Sequence, residues 1–147
     1  MLNPEILDIL SGSKEWGWVL EPDAKRILSL AGLDVPQFTC TDRLDEAVEF
    51  AERIGYPVVA KVVSPQVVHK TEAGGVMAGI DNKIALAEAF HRFSGIEGFR
   101  GVLVEESLSG VEMIVGSKVD YQFGPILLLG MGGTGVEIYK DTTLRMA

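Results

Sequence analysis

The sequence predicts an α+β fold with α/β character, and two observations support it. Three segments, at 21–32, 42–55 and 82–95, repeat apolar residues at helical spacing. Between and after them come short runs rich in Val and Ile, bounded by Gly and Pro, which are typical of strands. The predicted order from residue 21 is α-β-α-β-β-α-β-β-β-β, which is not a uniform doubly wound alternation.

Capping residues define the predicted helices. The opening "NPEILDILSGSKEWGWVL" is weakly helical, and its two tryptophans are predicted to be packing anchors. "EPDAKRILSLAG" has a proline in its first turn and ends at Gly32. "DRLDEAVEFAERIGYP" has Asp42 as its predicted N-cap and Gly55 as its C-cap. In "NKIALAEAFHRFSG" the predicted buried side comprises Ile84, Ala87 and Phe90, with His91 as a further candidate.

The predicted strands follow in chain order. The first strands are "VPQFTCT", "PVVAKVV" and "GVMAGI", and the second is apolar enough to be covered on both faces. The later candidates are "GVLVEESL", "VEMIVGSKV", "PILLLG" and "GVEIYK". The chain reaches Ala147 with no closing helix, so we expect it to be truncated, leaving a sheet edge on which a second copy could pair.

Composition narrows the class of protein. The 147 residues are 47% hydrophobic, enough for a core, and no apolar run approaches the ~20 residues of a membrane span. A single cysteine, Cys40, and no visible leader segment favour a reducing cytoplasm. The net charge of −8 argues against general nucleic-acid binding, although one lysine and a few backbone N–H groups can still hold a small phosphate.

Two residues are candidates for phosphate chemistry. Lys61 lies within "PVVAKVV", where a lysine either reaches solvent, pairs with a structural carboxylate, or extends into a cleft to meet phosphate oxygens. His69 lies in "SPQVVHKTEAGG" and is either an ordinary loop histidine or a nucleophile toward phosphorus. Its neutral imidazole has a free lone pair near pH 7, and Gly74 and Gly75 would let the loop change shape.

Three carboxylates and a glycine loop are weaker candidates. Glu105, Glu106 and Glu112 flank a predicted strand end and are either solvated turn charges or ligands for ribose hydroxyls. "GMGGTGVE" can expose successive N–H groups to an anion, but it lacks the ending of a Walker loop. No histidine has partners at metal-ligand spacing, so no metal site is predicted.

Most of the chain after residue 20 resembles a known family. The segments "GLDVP", "GVLVEES" and "FGPILLLGMGGTGVEIYKD", with "YPVVAKVVSPQVVHKTEAGGV" as the densest block, resemble the ATP-grasp part of the NDP-forming acyl-CoA synthetases. These are the ADP-forming acetyl-CoA synthetases (acetate–CoA ligases), related to succinyl-CoA synthetase. The resemblance implies an ATP-grasp fold, with residues 1–20 as an N-terminal extension and residues 21–147 holding the N-terminal lobe and part of the second lobe.

The resemblance also assigns roles to residues. It implies that Lys61 contacts ATP phosphates and that His69 is transiently phosphorylated, relaying phosphate to a CoA-ligase subunit or domain. The segment Val104, Glu105, Glu106, Ser107 and Leu108 would be the hinge beside adenine, and Glu112 would lie near the ribose. Gly132, Gly133 and Glu137 would lie near the phosphates.

The expected activity is reversible, ADP-forming acyl-CoA synthesis from acid, CoA and ATP. In this family the chain continues, and its later part holds Mg²⁺, so residues 1–147 alone are expected to be inactive and to bind nucleotide weakly or not at all. One alternative is a non-catalytic regulatory or interaction module, such as the synthetase-like part of a protein acetyltransferase fusion. Another is an ATP-grasp ligase that uses an acyl phosphate, which would need no histidine in this loop.

Overall fold

The computed structural model describes residues 3–132 and 142–146. The chain forms two compact units, the first ending at Leu108 and the second beginning at Ser109. Every helix in the described residues is too short or too polar to span a bilayer. The mixed helix and strand architecture predicted from the sequence is confirmed.

The first unit contains four α-helices and four strands. The helices are α1 (Pro4–Gly12), α2 (Glu21–Leu30), α3 (Leu44–Ile54) and α4 (Lys83–Ser94), with a 3-10 turn at Ser13–Glu15 after α1. The strands are β1 (Phe38–Thr41), β2 (Val58–Val63), β3 (Val76–Ile80) and β4 (Gly101–Glu106).

The four strands form one antiparallel sheet in the order β1-β4-β2-β3. The segments β1-α3-β2 and β3-α4-β4 each skip one strand, so α3 and α4 are crossover helices between strands that run in the same direction. Both pack on the sheet face that carries Val58, Ala60 and Val62. The other face of β2 carries Val59 and Lys61, and β2 has hydrogen-bonded neighbours on both sides.

Two local predictions were wrong. The N-cap of α3 is Arg43, not Asp42, and its backbone N–H donates to Thr41 Oγ1 at 3.1 Å. The buried side of α4 is also different, since Ile84 is 67% exposed. Phe90 is buried as predicted, together with Leu86, Ala89 and Phe93, whereas His91 is exposed. Alternating alanines in this helix support two different stripes, and only packing against β2 and α3 selects one.

The second unit is an antiparallel meander of β5 (Met113–Asp120), β6 (Gly124–Met131) and β7 (Thr142–Met146). The predicted strand at 135–140 lies outside the described residues, and the sequence pattern did not mark β7. Cross-strand partners Met113↔Met131 and Val115↔Leu129 place apolar side chains on one face, where all four are at least 40% exposed.

Candidate functional site

Lys61 is held by two carboxylates on the sheet face opposite α3 and α4. Its partner on β4 is Leu103, and Glu105 lies one alternation further along the same face of β4. Lys61 Nζ is 2.7 Å from Glu105 Oε1 and 2.7 Å from Glu21 Oε1, where Glu21 is the first residue of α2. The strand lysine is therefore ion-paired on both sides.

These pairs belong to a larger charge cluster. The second oxygen of Glu21 accepts from Lys70 Nζ in the loop after β2, and Lys25 Nζ of α2 is 2.7 Å from Glu105 Oε2. The order of contacts is Lys25, Glu105, Lys61, Glu21, Lys70, and we call these five residues the charge cluster. Its three ammonium groups outnumber its two carboxylates, so the cluster keeps one positive charge in excess.

Pairing outweighs burial in the protonation of this cluster. Burial alone would lower the pKa of Lys61, but hydrogen bonds to Glu105 and Glu21 raise it above the ordinary value of 10.5. Burial alone would raise the pKa of Glu21, but its bonds with Lys61 and Lys70 bring it below 4.5. Both groups are therefore charged at neutral pH.

A cleft of about 480 Å³ opens beside the cluster, within the range of ~300–1,000 Å³ typical of small-molecule sites. All of its lining residues lie in the first unit. Its walls include Trp18, Glu21, Lys61, Val68, Lys70 and Thr71. An ammonium of the central strand and an ammonium of the following loop thus line one cavity.

His69 is exposed, and it lies between two residues that line this cleft, Val68 and Lys70. It belongs to the loop at 64–75 that joins β2 to β3, which we call the histidine loop. Two hydrogen bonds fix the start of the loop. The buried Ser64 side chain donates from Oγ to Glu97 O at 2.8 Å, and Trp18 Nε1 donates to Pro65 O at 3.2 Å. Ser64 Oγ is thereby engaged in the fold.

The end of the histidine loop is a single helical turn closed by glycine. Gly75 N–H donates to Lys70 O at 2.7 Å and Gly74 N–H to Thr71 O at 3.0 Å, with Gly74 at φ +63°. This is the Schellman pattern, in which a left-handed residue terminates a turn. A side chain on Gly75 would overlap Val62 Cγ1, so this glycine allows the loop to return closely onto β2.

The predicted hinge residues divide between strand and loop. Val104 and Glu105 are buried in β4, and Glu106 is half-buried, with Oε2 accepting from Gln37 N–H at 3.2 Å. Ser107 and Leu108 are exposed after the strand, at the boundary between the two units. Glu105 is therefore not a solvated turn charge, since it is only 5% exposed and pairs with two lysines.

The remaining predicted residues belong to the second unit. Glu112 is exposed, and its carbonyl accepts from Gly132 N–H at 2.8 Å, which brings these two residues together at the open end of the β5–β6 pair. A side chain at Gly132 would crowd Met113 N at 2.9 Å, so glycine is needed for this approach. Gly133 and Glu137 lie outside the described residues.

Sequence reasoning missed three members of the charge cluster: Glu21, Lys25 and Lys70. The amphipathic pattern of α2 gave no signal that its first turn would reach Lys61, which lies 40 residues later. Within the described residues, no group of three or more His, Cys, Asp or Glu side chains could hold a metal ion. Both carboxylates of the charge cluster are ion-paired with lysines, so the cluster does not fit a resident Mg²⁺.

Comparisons with known proteins identify the fold. The model of the ATP-grasp domain family matches residues 12–147. The β subunit of acetate–CoA ligase [ADP-forming] I from Pyrococcus furiosus is 44% identical over 137 residues, which are 88% of this chain and 59% of that protein. The chain thus spans less than two thirds of this relative.

Two solved structures have a fold similar to that of this chain. A crystal structure of a Pyrococcus horikoshii protein matches with a TM-score of 0.89 at 37% identity, covering 100% of this chain and 66% of the other. The dinucleotide-forming acetyl-coenzyme A synthetase 1 of Ca. Korarchaeum cryptofilum, with CoA and Mg-AMPPCP, matches with a TM-score of 0.75 at 39% identity, covering 97% and 64%. The chain belongs to the ATP-grasp family and is homologous to ADP-forming CoA ligases.

Proposed function

We propose that residues 1–147 are the nucleotide-binding part of an ADP-forming acyl-CoA synthetase in which His69 carries the phosphoryl group. The observation that supports this best is the shared cleft: Lys61 and Lys70 line it, and His69 is adjacent to Lys70 in the loop. The described Korarchaeum enzyme has a phosphohistidine segment pointing towards its nucleotide binding site, which supports the same role for the histidine loop.

In the proposed reaction the imidazole of His69 attacks the γ-phosphorus of ATP. The bond from phosphorus to the bridging oxygen breaks, ADP leaves, and a phosphorus–nitrogen bond forms on the ring. Lys61 offsets negative charge on the phosphates, from its position on strand β2 at the cleft. The histidine loop then presents the phosphoryl group to a CoA-ligase subunit or domain, where acyl-CoA forms from the acid and CoA with release of phosphate.

The roles of the other site residues are proposed from the resemblance to the same family. Val104, Glu105, Glu106, Ser107 and Leu108 would contribute to adenine binding. We assign Glu112, Gly132, Gly133 and Glu137 to the ribose and phosphate end. The Mg²⁺ that accompanies ATP would find its ligands outside this chain. We propose a cytoplasmic location, where Cys40 would stay reduced.

The test is phosphoryl labelling in a chimera in which residues 12–147 replace the matching segment of the Pyrococcus furiosus β subunit. With ATP labelled at the γ-phosphate, we expect an alkali-stable, acid-labile label on His69. His69→Asn should abolish the label, whereas His91→Asn, which removes the other histidine, should keep it. The unaltered Pyrococcus subunit is the positive control for folding and labelling.

Two outcomes would reject this assignment. One is an acid-stable label on Ser64 or Thr71, and the other is a label that survives His69→Asn. Unchanged turnover in His69→Asn would favour the non-catalytic module instead. Residues 1–147 alone should show no steady-state acyl-CoA synthesis. Synthesis without added protein would contradict the proposal that acyl-CoA forms on a separate CoA-ligase subunit or domain.

A further inference from the structure

Resting on the proposed function, we propose that the Glu21–Lys70 ion pair is a latch that holds the histidine loop at the Lys61 end of the cleft. Phosphorylation of His69 then releases this latch. Lys70 is a positioning residue in this scheme, because it acts on His69 through the loop and is not itself a reacting group.

The geometry of the histidine loop couples the position of the Lys70 side chain to the position of the His69 backbone. Ala73 N–H donates to His69 O at 3.2 Å, and Gly75 N–H donates to Lys70 O at 2.7 Å, so both residues belong to one hydrogen-bonded turn. Wherever the Lys70 side chain is held, the backbone of His69 is held with it. The loop is fixed at its start by Ser64, so the latch controls the part that carries the imidazole.

Glu21 is well placed to be the fixed half of the latch. Its Oε1 binds Lys61, whose strand is hydrogen-bonded on both sides, and its Oε2 binds Lys70. The Lys70 side chain is only 12% exposed. Since the Glu21 side chain is 26% exposed, the pair is partly buried, and salt screens it less than it screens a fully exposed surface pair.

Phosphorylation of His69 changes the balance at Lys70. A phosphorylated side chain carries on the order of −1.5 to −2 charges and three strong acceptor oxygens. Those oxygens compete with Glu21 for the neighbouring ammonium, and their charge repels the Glu21 carboxylate. The latch therefore holds the unphosphorylated imidazole near the nucleotide and weakens once the ring carries a phosphoryl group, so the position of the loop depends on the phosphorylation state of His69.

Hydrogen exchange of this chain tests the latch without any nucleotide. The reporters are the backbone amides of Ala73, Gly74 and Gly75, which donate within the turn. Lys70→Met and Glu21→Gln should each raise their exchange rates roughly tenfold, because a charge-assisted contact is lost. Glu72→Gln, which removes an exposed carboxylate of the same loop, is the matched control and should leave the rates unchanged.

Amides of β2 and β4 serve as internal references for folding. If Glu21→Gln also loosens the sheet, Lys70→Met decides, since it keeps the aliphatic stem of the side chain and leaves Lys61 paired with both carboxylates. Loop amides that exchange at the wild-type rate in Lys70→Met would overturn the latch.

Chemical phosphorylation tests the release. With phosphoramidate, an imidazole nitrogen attacks phosphorus, the original phosphorus–nitrogen bond breaks, and ammonia leaves. In a His91→Asn background His69 is the sole histidine to react. Phosphorylation should raise loop exchange to the Lys70→Met level and add nothing in Lys70→Met itself, whereas unchanged exchange would overturn the release. Since no nucleotide is used, this result is independent of whether ATP labels His69.

Discussion

At the scale of single residues, Lys61 shows how a charge becomes tolerable in an apolar strand. Each of its two ion pairs measures 2.7 Å, and the side chain is 23% exposed. Removing one partner of a buried pair usually costs more than the pair contributes, because the remaining charge stays desolvated. In the proposed function, a phosphate that enters the cleft would compete with Glu21 and Glu105 for this ammonium, so nucleotide binding would replace ion pairs that the protein already makes.

Glu21 gives a pH prediction. Its pKa is lower in the folded protein than the ordinary value of 4.5, so its stabilising effect is complete above that value and is lost as the pH falls through the folded-state pKa. The wild-type protein should therefore exceed Glu21→Gln in free energy of unfolding at pH 6–8, roughly neutral conditions at which carboxylates are ionised. That difference should shrink below pH 4.5. Urea unfolding across this range measures it.

The control for this experiment is Glu72→Gln, which removes the same formal charge from an exposed position. It reports the effect of net charge alone. A difference between wild type and Glu21→Gln that stays constant down to pH 3, an acidity at which most carboxylates are roughly neutralised, would contradict the ion pairing described here.

At the scale of elements, the β2–loop–β3 segment has two ends fixed by hydrogen bonds and an exposed histidine between them. Val62 N–H donates to Gly75 O at 2.8 Å, and Gly75 lies so close to the Val62 side chain that a Cβ atom would overlap it. At the other end, Gln66 N–H donates to Ser64 Oγ at 3.1 Å. The exposed imidazole is thus carried by a loop whose two ends have fixed positions on the sheet.

Gly75→Ala should disturb this arrangement. The added methyl group would overlap Val62 Cγ1 within the core face, and overpacking of this kind typically costs about 1–3 kcal/mol. Thermal or urea unfolding measures the loss. Gly12→Ala, at the end of α1, meets no atom within 4 Å and should not lower stability, because alanine favours a helix more than glycine does. An equal loss of stability in the two variants would refute the close approach.

At the scale of the whole molecule, the two compact units differ in how much each can bury. The first contains the complete four-stranded sheet, its hydrophobic core and the charge cluster. The second is a three-stranded meander with many exposed apolar side chains, among them Val115 at 73% and Val119 at 81%. This sheet alone can bury little apolar surface.

Residues 1–108 should therefore fold without the rest of the chain, and residues 109–147 should not fold alone, because segments below ~40 residues seldom bury enough surface. Circular dichroism with thermal unfolding checks both pieces. We expect a cooperative transition from the first piece and none from the second. A first piece without a transition would show that its core depends on the second unit.

The sequence predicted the succession of elements from α2 to β6 because helical periodicity, glycine stops and apolar runs are local signals. It pointed to Lys61 because a charge in "PVVAKVV" conflicts with its surroundings. It could not supply the sheet order or the partners of Lys61, since Glu21 and Glu105 are 40 and 44 positions away and become neighbours only through strand pairing and helix placement. The buried side of α4 likewise depends on tertiary packing, which the sequence pattern alone does not reveal.

The surplus ammonium charge of the cluster has a consequence for how an anion arrives. The chain as a whole carries −8, so a polyphosphate is repelled at long range and attracted only near the cleft. The Debye length is about 10 Å at 0.1 M salt, which shortens the repulsion more than the contact attraction. For the nucleotide binding proposed here, moderate ionic strength should thus raise the rate of association, the reverse of the behaviour of enzymes that attract their substrates through a global field.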